Sequence, residues 1–348
     1  MDIFITGAGW ITTQGDDLTL VWDAVLAGTP SPVSDLPGPD GRPSHTAACI
    51  PLKLVDAVAR QPRLRRSSNI SLFAAAATLA ALRNAGIDPG NAGNCALVFA
   101  ATDGGVIYTR KFYDQVVRQG SGSPLLFPET VYNAPASHIA ALLGLDGSTY
   151  TVVGDAGAGV AALNLAAELL ATTSIDHCIV AGAQEADWIL CEAYHQWRLS
   201  TNRRAIEIGS NRGALIADGG AAVVLSRQGP YRLHTTPAIP YFRQAEASSS
   251  LANALGYLPS GTKPGCVISS ANGTFIDRAE RSAVESAFGP LPTIHPKVTL
   301  GDPFGAGALV QVIGAAEALR RDNAGPILVP VIGLNEQAGA ALVSKAFP

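Results

Sequence analysis

Short apolar runs alternate along the chain with alanine-rich stretches whose apolar positions recur at helical spacing. The predicted strands are residues 3–6, 96–100, 150–153, 179–181 and 221–225. The predicted helices are residues 20–26, 69–85, 136–143 and 160–171, and residues 230–241 are predicted to connect two parts of the chain. Because continuous apolar strands alternate with helices, the pattern predicts an α/β fold whose mostly parallel sheet is covered on both faces.

One pattern occurs twice. Residues 154–159 read GDAGAG, and residues 301–307 read GDPFGAG. Each copy follows a run that resembles a strand, TYTVV or KVTL, and each precedes an alanine-rich helix that contains Ala-Ala-Glu. The repetition predicts a duplicated α/β unit in which two strand-to-helix turns meet at a pseudo-twofold centre. Glycines in such turns allow close helix packing and close backbone approach to a ligand.

The amino-acid composition and net charge exclude some classes of protein. Hydrophobic residues make up 47% and charged residues 15% of the 348 residues, whereas about 25% charged residues are typical. This excludes a disordered chain, and the net charge of −4 argues against a nucleic-acid-binding surface. Five cysteines without C-x-x-C spacing favour free thiols in a reducing compartment. With no basic leader and no apolar run of about 18 residues, we expect a cytoplasmic protein.

Several motifs resemble those of β-ketoacyl synthases of the thiolase superfamily, in the same order along nearly the whole chain. They are FITGAG at 4–9, NAPASHIAALLGL at 133–145, AGAQEA at 181–186 and ADGGA at 217–221. The resemblance implies a thiolase-like α/β fold in which duplicated halves form a layered α-β-α-β-α architecture. It implies an N-terminal half at 1–229 and a C-terminal half at 230–348, together one compact unit.

The resemblance also locates the family's catalytic positions, and all three are changed. In these acyltransferases a cysteine takes the acyl chain, and two histidines drive decarboxylation and hold the enolate. Here Ala156 stands at the cysteine position in TVVGDAGAG, Asn272 at the first histidine in ANGT, and Asp302 at the second in KVTLGDPFG. The family's G-F-G-G gating loop has no recognisable counterpart at 333–339. The resemblance therefore implies that the chain alone is inactive.

Further predictions concern a buried ion pair, two aspartates, one histidine, and metal or cofactor binding. Lys297 keeps its place in the family motif, and because a buried lysine needs a carboxylate, we predict an ion pair with Glu280. Asp155 and Asp302 either form an acid/base pair with one raised pKa, or Asp155 caps the following helix or pairs with an arginine. His138 is predicted to be a core histidine bonded to backbone. No metal or cofactor is predicted, since the glycines at 7–9 lack the rest of a dinucleotide motif.

The implied function is that of a non-catalytic ketosynthase-like subunit of the chain-length-factor type. Such a subunit pairs with an active β-ketoacyl-ACP synthase in fatty acid or polyketide biosynthesis and shapes the chain tunnel. The resemblance implies pairing of strand 149–154 across a dimer axis and a pocket lined by Phe127, Tyr132 and Phe304. Arg63, Arg65 and Arg66 are either a docking patch for acyl carrier protein or a solvated helix start. The alternatives are an acyl-thioester enzyme with aspartate-based chemistry, and a homodimeric protein that binds acyl chains or carrier protein.

Overall fold

The computed structural model describes residues 3–322, 325–335 and 337–346. The strands are β1 (Ile3–Ile11), β2 (Ser34–Leu36), β3 (His45–Ala47), β4 (Cys95–Ala101), β5 (Thr149–Val153), β6 (His177–Gln184), β7 (Gly219–Ser226), β8 (Tyr231–Thr235), β9 (Ile239–Pro240), β10 (Cys266–Ile268), β11 (Thr293–Ile294), β12 (Ile327–Ile332) and β13 (Gln337–Lys345). The helices are α1 (Leu18–Leu26), α2 (Asp56–Ala59), α3 (Asn69–Asn84), α4 (Val106–Gln119), α5 (Ala134–Leu143), α6 (Gly157–Thr172), α7 (Trp188–Gln196), α8 (Ala247–Leu255), α9 (Phe275–Phe288), α10 (Pro296–Leu300) and α11 (Gly307–Arg321).

The main sheet contains the same strand arrangement twice. The first half runs β5-β4-β6-β7-β1, and the second runs β11-β10-β12-β13-β8. In each half the first two pairings in that order are parallel and the last two are antiparallel. The halves join where β1 pairs antiparallel with β8, with Ile3 opposite Leu233. This repeated order confirms the duplicated thiolase-like α/β fold.

Alternating side chains on the strands place helices on both faces of each half. On β4, Val98 packs inward with α6 and α11, while Leu97 and Phe99 pack outward against α3 and α5. The outer face of the second half is covered by α8 and α9. The order of layers is therefore α-β-α-β-α. Helices α6 and α11 lie in the middle layer and are covered on both sides. As expected for such helices, they are apolar around much of their circumference.

The two repeated turns do meet at the centre, as the duplication predicted. A Cβ atom added to Gly159 on α6 would lie 2.6 Å from Cβ of Ala308 on α11. No side chain fits in that gap, so the glycine allows the two central helices to touch. The packing brings the start of α6 close to the start of α11, and with it the two turns that precede these helices.

One local prediction is wrong. The KVTL run forms part of α10 rather than a strand, because Pro296 at the first helical position favours helix and Gly301, at φ +77°, ends it. Residues 230–241 follow the last strand of the first half, and they contain β8 and β9, with Leu233 on β8 buried. The other predicted elements are present; α3 ends one residue earlier than predicted, and the rest extend further than predicted. Within the described residues, no helix has the length and apolarity needed to cross a membrane.

Candidate functional site

Ala156, which the motif resemblance aligned with a catalytic cysteine, lies in the turn between β5 and α6. Ala156 directly precedes α6, and its methyl group is buried in the core between the two halves of the sheet. Beside it, Asp155 Oδ1 accepts a hydrogen bond from the Gly157 backbone N–H at 2.9 Å, so it binds the start of α6. A methyl group offers no nucleophile, and the neighbouring carboxylate serves the helix terminus.

Residues 333–335 are held against the same turn. Asp155 Oδ2 accepts a hydrogen bond from the Asn335 backbone N–H at 2.8 Å. A Cβ atom on Gly333 would lie 1.7 Å from Asp155 Oδ2, so only glycine fits there while the carboxyl group keeps its place. Leu334 is buried among the side chains that cover the second half of the sheet. These contacts fix the segment over the first turn.

Asn272 and Asp302, the two residues that the resemblance aligned with catalytic histidines, are joined in one buried network. Asn272 Nδ2 donates to Asp302 Oδ2 at 2.7 Å, and Lys297 Nζ donates to the same oxygen at 3.0 Å. Asp302 Oδ1 accepts from the Phe304 backbone N–H at 3.1 Å. Thr274 Oγ1 donates to Asn272 Oδ1 at 2.6 Å. Both carboxylate oxygens of Asp302 are therefore engaged, and Lys297 compensates its negative charge.

The predicted ion pair between Lys297 and Glu280 is wrong. Lys297 pairs with Asp302, whereas Glu280 accepts hydrogen bonds from the Ser269 hydroxyl, the Ser270 hydroxyl and the Ser270 backbone N–H. Burial raises the pKa of Glu280, although the serine donors and the nearby Lys297 charge oppose the rise. The reason is local geometry, because α10 and its glycine stop turn Lys297 towards Asp302, five residues later.

His138 bonds to a side chain and not to backbone, which corrects the prediction. Its Nε2 lies 2.5 Å from Glu129 Oε1, and Glu129 Oε2 accepts from the Ser68 backbone N–H at 2.7 Å. Burial opposes ionisation of Glu129, but His138 and Ser68 outweigh it and lower the pKa of this carboxyl group. The pair joins α5 to the start of α3.

The three predicted pocket residues fall in different places. Phe127 and Tyr132 are exposed, at 55% and 46% of their surface. Phe304 is buried and stacks on Tyr194, with 4.8 Å between ring centroids. Its φ of +38° is unusual for a residue other than glycine. Phe304 thus separates the Asp302 network from Tyr194, which lines a cavity on the other side.

That cavity has Asp155 of the turn in its wall and was not predicted. Its volume is about 670 Å³. Its wall includes Thr102, Asp103, Asp155, Tyr194, Trp197 and Tyr241. Among the described lining residues, Ala156, Asn272 and Asp302 do not appear. One signal for Asp103 was present in the sequence, because it follows the carboxyl end of a parallel strand, where α/β folds place ligands.

Burial changes the titration of two groups in the wall. It raises the pKa of Asp103 to about 7, and the adjacent Gln184 amide only partly offsets this rise. Burial, followed by the negative charges of Asp103, Asp155 and Asp302, raises the pKa of Tyr194. Burial therefore favours the protonated form of both Asp103 and Tyr194.

The arginine cluster lies on the surface. Arg63, Arg65 and Arg66 are exposed in the segment between α2 and α3. Within the described part of the chain, none of the three side chains forms an ion pair. Their charge is free to act on a partner, and the structure by itself does not name one.

Comparison with known proteins identifies the family. The model of the β-ketoacyl synthase N-terminal domain matches residues 1–229, so the chain belongs to the β-ketoacyl synthase family. No curated protein sequence gives a significant match.

Solved structures with the same fold cover almost the entire chain. A β-ketoacyl synthase from Burkholderia phymatum STM815 has 16% identity over 99% of this chain and 100% of that one, with a TM-score of 0.84. The ishigamide ketosynthase/chain length factor has 16% identity over 99% of each chain and the same TM-score of 0.84. The ketosynthase ApeO in complex with its chain length factor ApeC, from Xenorhabdus doucetiae, has 15% identity over 99% and 98%, with a TM-score of 0.79. At these identities the similarity establishes the fold.

Proposed function

We propose that the chain is a non-catalytic ketosynthase-like subunit of the chain-length-factor type, which pairs with an active β-ketoacyl-ACP synthase in fatty acid or polyketide biosynthesis. One observation carries the proposal. The family fold is kept, while the motif resemblance assigns the three catalytic positions to Ala156, Asn272 and Asp302, none of which is a cysteine or a histidine. A buried methyl group and a closed polar network provide neither a nucleophile nor an imidazole.

The geometry gives little support to the alternative, an acyl-thioester enzyme that uses aspartates for its chemistry. Asp302 accepts hydrogen bonds from Lys297, Asn272 and the Phe304 backbone, and it is buried. To act as a base it would have to give up its interaction with the buried Lys297, which is costly in a low-dielectric interior. Asp155 is engaged by two backbone N–H groups in a similar way. The hydrogen bonds of Asp155 and Asp302 therefore support a structural role for both carboxylates.

The open edge of the sheet at β5 supports the proposal that a partner chain pairs there. Among the described strands β5 pairs only with β4, so its other edge is open. Tyr150 and Val153 on this strand are 43% and 52% exposed. An open apolar edge strand is a template for pairing with another chain. In the proposed complex β5 pairs with its counterpart, and Phe127 and Tyr132 face the partner side of the tunnel.

The nature of the partners is supported by structural neighbours. ApeO is described in complex with its chain length factor ApeC, and the type II assembly AntDE:AntF contains an acyl carrier protein with its ketosynthase. By analogy, the partners of this chain are an active ketosynthase and an acyl carrier protein. Arg63, Arg65 and Arg66 supply a positive surface that would steer an acidic carrier protein to the complex.

The test is to purify the tagged full-length chain from its native cells, measure the native mass and identify co-purifying proteins by mass spectrometry. We expect a one-to-one complex with a ketosynthase that has intact cysteine and histidines. Acyl groups should then load on the partner's cysteine and not on this chain. A homodimer without a ketosynthase would contradict the proposal and favour the acyl-binding or aspartate-based alternatives, which acyl-thioester turnover would separate.

A further inference from the structure

His45 on β3 is a buried histidine whose two ring nitrogens both face hydrogen-bond acceptors. The residue is 2% exposed. Its Nε2 lies 2.6 Å from Glu192 Oε2 on α7, and its Nδ1 lies 3.1 Å from Asn202 Oδ1 in the segment that follows α7. A neutral imidazole has one donor and one acceptor nitrogen, so it can donate to only one of these two oxygens. The two contacts together therefore require a proton on both nitrogens of His45.

The orientation of the Asn202 amide group is set by a second donor. The Thr46 backbone N–H donates to the same Asn202 Oδ1 at 3.2 Å. If the amide group were reversed, its NH₂ group would face this N–H, and two donors would oppose each other. A neutral His45 would therefore place a nitrogen lone pair against either Asn202 Oδ1 or the Glu192 carboxylate. In both cases one buried hydrogen bond is lost.

The titratable groups that α7 presents to His45 are Glu192 and His195. The hydrogen bond from His45 is the main reason why the pKa of Glu192 is lowered, and a hydrogen bond from Gln196 adds to the effect. Glu192 is therefore ionised at neutral pH and compensates a positive charge on the His45 ring. The ring of His195 is exposed, and its centroid lies 5.2 Å from that of His45. A charge on His195 would repel the charge on His45 and is screened by solvent.

Three further charged groups lie near β3 on other elements. Asp35 on β2 accepts a hydrogen bond from the Thr46 hydroxyl at 3.4 Å and pairs with Arg204 at 3.6 Å. The guanidinium carbon of Arg42 lies 5.6 Å from the ring centroid of Trp188. Within the described part of the chain, none of the three forms a hydrogen bond or an ion pair with the His45 ring. Glu192 is thus the carboxylate that holds the ring proton.

We infer that His45 is an imidazolium in the folded protein and acts as a pH-sensitive latch between β3 and α7. At low pH the ring donates to both Glu192 and Asn202, which ties the β2–β3 hairpin to α7 and to the segment after it. Because the folded state favours the protonated ring, the latch is complete at low pH and weakens as the pH rises. Leu36 and Pro37 of the hairpin line a cavity of about 500 Å³, so a weaker latch loosens one wall of that cavity.

The test is hydrogen exchange of the amides of residues 42–47 in the full-length protein, followed by mass spectrometry. Exchange is measured from about pH 5 to about pH 9 and corrected for the intrinsic rate at each pH. The buried strand β4 is the internal reference for opening of the whole fold. We expect the protection of residues 42–47, relative to β4, to fall roughly tenfold as the pH rises, because one hydrogen bond is lost.

Glu192→Gln is the decisive variant, and the side chain is exposed enough to be replaced without disturbing the core. The new amide can donate to Nε2 of a neutral His45 ring that keeps its proton on Nδ1. It can also accept from Gln196, which donates to Glu192 Oε1 at 2.8 Å. No hydrogen bond then depends on a second ring proton, so the relative protection should stay constant over the same pH range.

His195→Gln is the matched control, because it removes the exposed neighbouring imidazole and leaves the His45 contacts in place. It should keep the tenfold fall in relative protection. Constant relative protection in the original protein would overturn the inference. So would a fall in Glu192→Gln as large as that in the original protein, or the disappearance of the fall in His195→Gln, which would assign the titration to His195.

Discussion

Asn272 donates a hydrogen bond from Nδ2 to Asp302 Oδ2 at 2.7 Å, so these two side chains contact each other directly. Lys297 donates to the same oxygen, and all three side chains are buried. They form a network whose polar groups satisfy one another, and we infer that it contributes to stability.

The first prediction concerns this network. Replacement Asp302→Ala leaves the Lys297 ammonium group buried without its counter-charge. Breaking a buried pair from one side typically costs about 3–5 kcal/mol. We therefore expect the free energy of unfolding, measured by urea denaturation, to fall by that amount.

The double variant Asp302→Ala, Lys297→Met is the control. It removes both charges and replaces the lysine with an apolar side chain of similar length, so most of the lost stability should return. If the single variant is as stable as the original protein, or if the double variant is no more stable than the single one, Asp302 does not compensate Lys297 in the folded chain.

Local sequence signals predicted much of the fold. The repeated glycine turns before α6 and α11 predicted the duplication, and Gly159 at the start of α6 allows close contact with Ala308 at the start of α11. The KVTL run was predicted as a strand because Val298 and Thr299 have strand propensity. In the structure these residues belong to a helix of five residues, which begins at Pro296 and ends before Gly301. Propensity is a weak signal over such a short segment.

The site was less predictable than the fold. The changed positions Ala156, Asn272 and Asp302 were found by motif resemblance, but the choice of Lys297 partner depended on distances that the sequence does not contain. The cavity was missed because its wall combines residues from segments that are far apart in the chain, from Thr102 to Asn335. Only tertiary packing brings such segments together.

The second prediction tests the open edge at β5. Val153 is exposed there, and Val153→Lys places a charge on a strand that we propose to pair with the partner. We expect the variant to fold normally but to lose the co-purifying ketosynthase, as measured by native mass. Leu20→Lys, on the exposed side of α1, makes the same chemical change elsewhere and should keep the complex. Retention of the partner by Val153→Lys would locate the interface on another surface.

The third prediction concerns carrier-protein docking. Charge reversal of Arg63, Arg65 and Arg66 to glutamate should slow association of acyl carrier protein with the complex by roughly tenfold at low salt. Added salt should reduce the rate of the original protein towards that of the variant, because exposed charges are screened. Stopped-flow measurement gives both rates. Arg83→Glu, at the exposed end of α3, is the control for a charge reversal elsewhere on the surface and should leave the rate nearly unchanged. Equal rates for the triple variant and the original would refute docking at the cluster.

The fourth prediction follows from the raised pKa of Asp103. In the folded chain this pKa is about 7, compared with an ordinary value of 3.8, so the folded state keeps a proton that the unfolded state releases. The contribution of Asp103 to stability therefore decreases as the pH rises from about 4 to about 7 and is constant above that. The difference in pKa sets an upper limit of about 4 kcal/mol, which partial exposure of the side chain reduces.

Asp103→Asn removes this titration. The variant should unfold at a higher temperature than the original protein at pH 8 and at nearly the same temperature at pH 4, when both are followed by circular dichroism. Glu185 and Asp218 have pKa values raised by burial to about 7 and about 6, so both proteins keep some pH dependence, and the informative quantity is the difference between them. Asp56→Asn, which removes an exposed carboxylate from α2, should follow the original curve throughout. A difference between Asp103→Asn and the original that stays constant from pH 4 to pH 8 would show that Asp103 titrates normally.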